Sequence, residues 1–408
     1  MSSNGAGSSP CSSPWPSSHS IRRARAAIAH DAPRAGTPAG PPSRVLIAAL
    51  LAILAAGITP GASSGPTARS LDRPADGNRP TPAGIKAVYL SYYGVADATI
   101  RGRVLDLLDR TELNAVVIDV KGDRGFIPYA TSVDLAVHAG ARGPVRWSGF
   151  DVTLQRLKAR GIYTIARIVV FKDDVLARYR PGWALLDRRT GQPWVDQEGL
   201  AWIDPFKSEA WAYALQIARE AAAKGFDEIQ FDYLRFPSEG ALGAIRYSAA
   251  STQQTRTATI GRFLAAARQE LGDRARLAID VFGYTAFNDN DTNVGQRIEE
   301  LATLVDVICP MAYPSAYHGG IPGYRNPVAH PYEVVAETVR RIQARSRHTH
   351  ALVRPWIQDF RDYAFDRRAF GPIEVGAQIR AARDAGASGW MLWNPRNRYT
   401  VEALRSPG

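Results

Sequence analysis

The sequence contains few of the residues that build metal or disulfide frameworks. Of its two cysteines, Cys11 lies in a Ser- and Pro-rich leader and Cys309 in the apolar run 305–309. No disulfide can therefore form within the remaining chain, and neither a CxxC motif nor Cys/His zinc spacing is present. No GxGxxG motif follows the first predicted strand, as a dinucleotide site would require. The sequence thus predicts no metal and no cofactor.

Concentrated positive charge is also absent. The formal net charge is +11 over 408 residues. Residues 1–79 hold eight arginines and three aspartates, and the rest of the surplus is spread over more than 300 residues. This distribution lacks the basic patch of a nucleic-acid-binding surface. We therefore expect no nucleic-acid partner.

The first 84 residues differ in composition from the remainder. Residues 1–44 are a basic Ser/Pro/Ala/Gly-rich region that predicts disorder, and 65–84 contain four prolines and predict a flexible linker. Between them, the apolar run 45–58 has the length of a signal h-region, whereas a membrane span needs about 20 residues. We expect segment 45–64 to be an export signal or a single N-terminal membrane anchor. The protein would then be extracytoplasmic, either secreted or tethered.

From residue 85 onward, short β-branched or aromatic runs alternate with amphipathic helical patterns, which is typical of βα units. This pattern predicts one closed (β/α)8 TIM barrel over 85–400, a tail at 401–408, and pairing of the first strand with the last. An open doubly wound sheet is disfavoured by the strand count. The predicted strands are 86–91, 115–121, 163–171, 228–236, 277–283, 305–313, 351–358 and 389–394. The predicted helices are 100–108, 152–160, 208–224, 259–271, 294–304, 334–344 and 375–385.

Charged residues interrupt four of these strands near their carboxyl ends. Asp119 and Lys121 belong to the second strand, Arg167 to the third, Asp232 to the fourth and Asp280 to the fifth. Period-two alternation predicts that Asp119 and Lys121 share a face, and that these charges point into the barrel mouth. Buried carboxylates need partners, so the set is either a structural ion-pair network or an active site. Active sites of this fold lie at that same end.

Aromatic residues fall near the same ends of the strands. Tyr92 follows the first strand, Tyr313 closes the sixth, Trp356 lies in the seventh and Trp393 ends the eighth. Each of these rings alone would suggest packing. Together at one mouth they favour a surface on which sugar rings stack.

The end of the fourth predicted strand, 231–237, reads FDYLRFP. This motif resembles that of the putative glycosyl hydrolase domain family of bacterial (β/α)8 proteins. The resemblance extends through DVK at 119–121, AIDVFG at 278–283, PMAYP at 310–314 and GWMLW at 389–393, and so covers about 84–400. It implies a carbohydrate-active barrel and no particular sugar.

The chain is more distantly similar to chitinase-like barrels, whose fourth strand carries DxxDxDxE. The corresponding positions here are Asp227, Gln230, Asp232 and Leu234. Because leucine occupies the position of the chitinase general acid, the resemblance does not imply substrate-assisted chitinase chemistry.

Glycoside hydrolysis uses one carboxyl as acid and a second as nucleophile or base. Asp232 is our first candidate, because it lies in the strongest motif. Its partner is either Asp280 on the adjacent strand, which suits the ~5 Å separation of a retaining enzyme, or Asp119 two strands away, which suits the wider inverting gap. We favour the Asp232–Asp280 pair. Substrate binding is expected from Arg167, Lys121, Arg235, Tyr92, Tyr313, Trp356 and Trp393.

The predicted function is therefore an exported glycoside hydrolase that acts on an exopolysaccharide or cell-wall glycan. The alternative is a non-catalytic saccharide-binding or wall-associated barrel that keeps the aromatics but lacks a working acid. A polysaccharide lyase or deacetylase is a further alternative, although the sequence offers a deacetylase no metal-ligand set.

Overall fold

The computed structural model of the protein describes residues 84–144 and 146–405. The predictions for the basic region, the apolar run and most of the linker concern residues outside these ranges. Within the described ranges, no helix combines the length and the hydropathy needed to cross a membrane.

Nine of the eleven strands form one parallel sheet that closes on itself. β1 pairs with β2 on one side and with β11 on the other, where Ile85 lies opposite Gly389. The predicted pairing of first and last strands is thus confirmed. The strands are β1 (Ile85–Leu90), β2 (Ala115–Lys121), β3 (Tyr163–Val169), β4 (Leu186–Asp187), β5 (Glu228–Asp232), β6 (Ile245–Arg246), β7 (Arg276–Phe282), β8 (Val307–Met311), β9 (Leu352–Val353), β10 (Trp356–Gln358) and β11 (Gly389–Trp393). β4 and β6 form a separate antiparallel pair.

The seventh position of the barrel is shared by two short strands. β9 and β10 flank Arg354 and Pro355, and proline has no N–H to donate to a neighbouring strand. β9 pairs with β8, whereas β10 pairs with both β8 and β11. Counted as one position, they give the predicted closed barrel of eight parallel strands.

Helices connect the strands and cover the barrel. They are α1 (Tyr92–Ala96), α2 (Ala98–Arg110), α3 (Asp134–His138), α4 (Phe150–Ala159), α5 (Asp174–Tyr179), α6 (Ser208–Lys224), α7 (Gln253–Leu271), α8 (Ile298–Leu301), α9 (Pro331–Ser346) and α10 (Pro372–Asp384). Six of the seven predicted helices are confirmed to within a few residues. α6 ends at Lys224 and is followed by Gly225, whose φ of 103° is left-handed.

The predicted helix at 294–304 is wrong except for the single turn α8. Upstream of it, the Asp291 carboxylate accepts hydrogen bonds from the backbone N–H groups of Asn293 and Gly295 and is paired with Arg256. Asn293 and Gly295 have φ of 57° and 83°, outside the helical region. The side-chain amide of Gln296 accepts a hydrogen bond from the Phe282 backbone N–H and donates one to the Asp280 carbonyl, both of them in β7. These contacts fix the segment as a loop.

Alternation along each strand separates an inner from an outer core. Ile118, Val120 and Phe231 lie on the helix side, where the Phe231 ring contacts Phe263 of α7 with 5.2 Å between centroids. These three side chains therefore face away from the barrel interior. Because side chains alternate, Asp119 and Asp232 point to the inside of the barrel.

Candidate active site

Four charged side chains meet inside the barrel at the carboxyl ends of its strands. Asp119 on β2 lies opposite Arg167 on β3. On the next pair of strands, Phe231 of β5 lies opposite Ile279 of β7, which places Asp232 and Asp280 at neighbouring positions. All four are at most 5% exposed. The predicted grouping of these residues is therefore present in the structure.

The Arg167 guanidinium holds the carboxylates of two strands together. Its Nε and Nη2 both donate to Oδ2 of Asp232, at 3.0 and 2.6 Å. Its Nη1 donates to Oδ1 of Asp119 at 2.7 Å, and Nη2 also donates to Oδ1 of Asp123 at 3.0 Å. Charge-assisted bonds of this kind fix orientation as well as charge. Arg167 thus places its positive charge against the buried Asp232 carboxyl.

Both oxygens of Asp119 accept hydrogen bonds from protein groups. Its Oδ2 accepts hydrogen bonds from the Tyr89 hydroxyl at 2.6 Å and from the Tyr92 backbone N–H at 3.0 Å, while Arg167 occupies Oδ1. Burial raises the pKa of Asp119 even though Arg167 acts in the opposite direction. Its contacts are those of a residue that positions Arg167.

Asp280 is held differently. Its Oδ1 accepts a hydrogen bond from Trp356 Nε1 at 2.8 Å, whereas Oδ2 has no hydrogen bond from any residue in the described ranges. Burial, and then the negative charge of Asp232, raise the pKa of Asp280 well above the ordinary aspartate value. Asp280 therefore keeps its proton at pH values where a solvated aspartate has lost it.

The residue after Asp232 is strained. Tyr233 has φ of 49°, a left-handed conformation that is uncommon for a residue with a β-carbon. Its backbone N–H donates to Oδ1 of Asp232 at 2.6 Å. Strain of this kind is concentrated at functional sites.

Aromatic rings cover one side of the carboxylates. Trp393 stacks on Tyr89 with 4.1 Å between ring centroids and lies at 90° to Trp356. The Arg167 guanidinium lies 5.2 Å from the Trp393 ring. Trp393 and Tyr313, 6.4 Å apart, are both half-buried, so each keeps part of its surface open to solvent. Burial raises the pKa of Tyr313, and the negative charges of Asp280 and Asp232 raise it further.

A family profile described as a putative glycosyl hydrolase domain matches residues 87–399. The chain belongs to this family. The resemblance predicted from the fourth-strand motif is thus confirmed, and the function is of the glycosyl hydrolase type. No curated protein matches the chain.

Solved structures resemble the chain over the same barrel. The glycoside hydrolase domain of PgaB (BpsB) from Bordetella bronchiseptica is 16% identical with a TM-score of 0.55, over 77% of this chain and 94% of that one. At this identity the likeness shows the fold alone. A hypothetical protein from Ruminiclostridium thermocellum is 34% identical with a TM-score of 0.42, over 48% of this chain and 97% of that one. A chitinase from Chromobacterium violaceum is 12% identical with a TM-score of 0.46, over 78% and 96%.

In this member of the putative glycosyl hydrolase domain family, Lys121 does not share a face with Asp119, so that prediction is wrong. The pairing of β2 with β3 shifts between the two residues, and Lys121 lies opposite Ile168 of the outer core. A bulge of one residue reverses the alternation beyond it. Lys121 Nζ lies 2.8 Å from Asp173 Oδ2, both side chains being fully buried, and 5.7 Å from the Tyr213 ring of α6.

Three further predicted substrate contacts are buried against protein. Arg235 is 4% exposed and lies over the rings of Tyr233 and Phe282, while Nη1 donates to the Phe236 carbonyl and to Ser238. The Tyr92 ring is 4% exposed and stacks on Phe126. Trp356 is buried as well and acts on Asp280, which leaves Arg167, Tyr313 and Trp393 as the predicted binding residues that line the carboxylate cluster.

The sequence interpretation missed two site residues. Tyr89 precedes the end of β1 and points inward by the same alternation that selected Asp119, so its hydroxyl could have been placed there. Asp123 follows the DVK segment, and its side chain is 43% exposed although it pairs with Arg167. It is the most exposed carboxylate attached to this cluster.

We expect Trp356→Phe to move the pH dependence of activity. The indole hydrogen bond lowers the pKa of Asp280, so its loss should raise that pKa further. If Asp280 must be protonated, the alkaline limit of kcat/KM should move to higher pH by about one unit. Trp211→Phe, which removes an indole bond to the Pro205 carbonyl, is the control and should leave the profile unchanged. An alkaline limit that stays in place or falls in Trp356→Phe would contradict this assignment.

Proposed function

We propose that the protein is an exported glycoside hydrolase that cleaves a poly- or oligosaccharide with Asp232 and Asp280. The observation that carries the proposal is the pair of carboxyls at neighbouring positions of adjacent strands, of which Asp232 is paired with Arg167 and Asp280 with the Trp356 indole. Arg167 neutralises Asp232, whereas burial and Asp232 itself keep Asp280 protonated. These different surroundings suit one carboxyl to act as the acid and the other as the nucleophile or base.

In this mechanism Asp280 protonates the glycosidic oxygen as the bond to the sugar breaks. Asp232 attacks the anomeric carbon to form a glycosyl ester, and water then cleaves this ester with the deprotonated Asp280 as base, which returns the proton to Asp280. Asp119 with Tyr89 positions Arg167. Neighbouring strands are about 4.8 Å apart, which suits the ~5 Å separation of retaining enzymes. We therefore expect retention of anomeric configuration.

The proposed substrate class is supported by the aromatic wall and by the family. Trp393 and Tyr313 offer half-open rings beside the carboxylates, as sugar stacking requires. The likeness to the PgaB glycoside hydrolase domain agrees with such a substrate. The proposal of export depends on the apolar run 45–58 and its basic flank.

The test is a screen of the purified chain against bacterial exopolysaccharides and cell-wall glycans, with release of reducing ends as the readout. We expect cleavage of at least one of these glycans, with NMR of the first product showing the retained anomer. Asp232→Asn is the control and should release none. Equal release by parent and variant would contradict the assignment, and no release by either would contradict the proposed function.

One observation favours the second candidate, a non-catalytic saccharide-binding barrel. Asp232 and Asp280 are only 5% and 1% exposed, so little of either carboxyl reaches solvent. Retention of a glycan by the parent without any release of reducing ends would favour this candidate.

A further inference from the structure

The loop that follows β10 carries two half-buried aromatic rings that the mechanism does not use. Phe360 and Tyr363 lie 6.2 Å apart between centroids, with their planes only 7° from parallel. Because β10 ends at Gln358, these rings lie at the carboxyl end of the barrel, the same end as the carboxylates.

These rings continue the aromatic wall outward from the site. Tyr313 contacts Trp393 at 6.4 Å on one side and Phe360 at 5.7 Å on the other. Beyond Phe360, Tyr363 contacts His318 at 6.2 Å. We call Trp393, Tyr313, Phe360, Tyr363 and His318 the aromatic row. All five residues are half-buried, so each keeps part of its surface open to solvent.

The loop is fixed by hydrogen bonds that do not involve the rings. The buried Asp362 carboxylate accepts bonds of 2.9–3.0 Å from four successive backbone N–H groups, those of residues 364–367, and one of 2.7 Å from Ser315 Oγ. Gln358 Nε2 donates to the Phe360 carbonyl at 3.0 Å and to Ser315 at 2.7 Å. These bonds hold the backbone of the loop that carries the two rings. A rigid support also lowers the cost of binding.

We propose that the aromatic row is an extended binding surface for successive sugar rings of a polysaccharide whose scissile bond lies at Asp232 and Asp280. The ligand class is a glycan chain several pyranose units long. Its C–H faces would pack on the rings in turn, and the spacings of 5.7–6.4 Å are comparable to the length of one sugar unit. This inference rests on the proposed function, which it deepens by naming a polymer as the substrate.

Native affinity electrophoresis tests the row separately from hydrolysis. The full chain carrying Asp232→Asn is run in gels containing glycol chitosan, hydroxyethyl cellulose, galactomannan or xylan. Phe360→Leu with Tyr363→Leu keeps apolar bulk but removes both rings, whereas Phe360→Tyr with Tyr363→Phe keeps them. Tyr179→Leu removes an exposed ring of α5 and is the surface control.

We expect at least one polysaccharide to retard the Asp232→Asn chain, and its dissociation constant to rise about tenfold in the leucine pair. The ring-keeping pair and Tyr179→Leu should be retarded as before. Equal retardation of the leucine pair, or no retardation of the Asp232→Asn chain in any gel, would overturn the proposal. If the aromatic row binds a polysaccharide from which the parent releases no reducing ends, the binding surface is supported and the proposed hydrolase activity is contradicted.

Discussion

Arg167→Met is expected to lower the free energy of unfolding by about 3–5 kcal/mol. The substitution keeps much of the side-chain volume but removes the charge that faces Asp119 and Asp232, both of them buried. Removing the arginine leaves buried carboxylates with neither water nor a counter-ion, and this uncompensated charge lowers the stability of the folded state. Chemical denaturation at neutral pH measures the difference.

The matched control is Arg110→Met. Arg110 pairs with Asp106 on the exposed surface of α2, with side chains 59% and 51% exposed, and such pairs contribute at most about 1 kcal/mol. Adding Asp119→Asn and Asp232→Asn to Arg167→Met should restore part of the lost stability, because the uncompensated charges are then gone. An Arg167→Met loss no larger than that of Arg110→Met would contradict the buried network described above.

Asp280→Asn is expected to abolish most activity and yet to stabilise the protein at neutral pH. Loss of a general acid costs about 10²–10⁴-fold in rate. The amide is neutral at every pH, and its oxygen can still accept the Trp356 hydrogen bond. The parent, in contrast, must keep a carboxyl in a buried site beside Asp232 that disfavours its ionised form.

The pH dependence follows from the raised pKa of Asp280. Between the ordinary aspartate pKa of the unfolded chain and the higher pKa of the folded one, the folded state binds more protons. The stability of the parent therefore declines as pH rises through this interval, and the variant lacks this decline. Thermal unfolding should show a higher Tm for Asp280→Asn at pH 7 and a difference that shrinks toward pH 4. A variant less stable than the parent at pH 7 would contradict the prediction.

The sequence was sufficient for the barrel because each strand is a short apolar run with few exceptions. Both faces of a barrel strand are covered, so its sequence should be almost entirely apolar. The charged residues that interrupt these runs, Asp119, Arg167, Asp232 and Asp280, therefore indicated the site. The motif at 231–237 then identified the family before any geometry was considered.

What the sequence could not supply depends on contacts between distant segments. The bulge after Asp119 arises where β2 pairs with β3, which the sequence of β2 alone does not reveal. Strict alternation therefore placed Lys121 on the wrong face. The 294–304 segment has a helical pattern, but Asp291, Arg256 and Gln296 hold its first half as a loop. Nor does any local pattern say that the indole of Trp356 bonds Asp280, 76 residues earlier in the chain.

The barrel interior offers a matched pair of buried carboxylates for judging the proposed chemistry. Glu228 begins β5 and pairs with Arg354 where both side chains are fully buried, and its other oxygen accepts a bond from the Tyr163 hydroxyl. Asp232 ends the same strand and pairs with Arg167 at the mouth. Both residues lie on β5 and each pairs with its own arginine, but they lie at opposite ends of the barrel.

The most direct measurement compares kcat and Tm of Asp232→Asn and Glu228→Gln on the glycan that the parent cleaves. We predict that Asp232→Asn loses at least about 10²-fold in kcat, because it removes a group that reacts. The change in Tm should be small, because Arg167 keeps Asp119 and Asp123 as partners. Glu228→Gln should lower Tm by several degrees and retain most of kcat, because it uncovers the buried charge of Arg354. Parent-like kcat in Asp232→Asn would contradict the account.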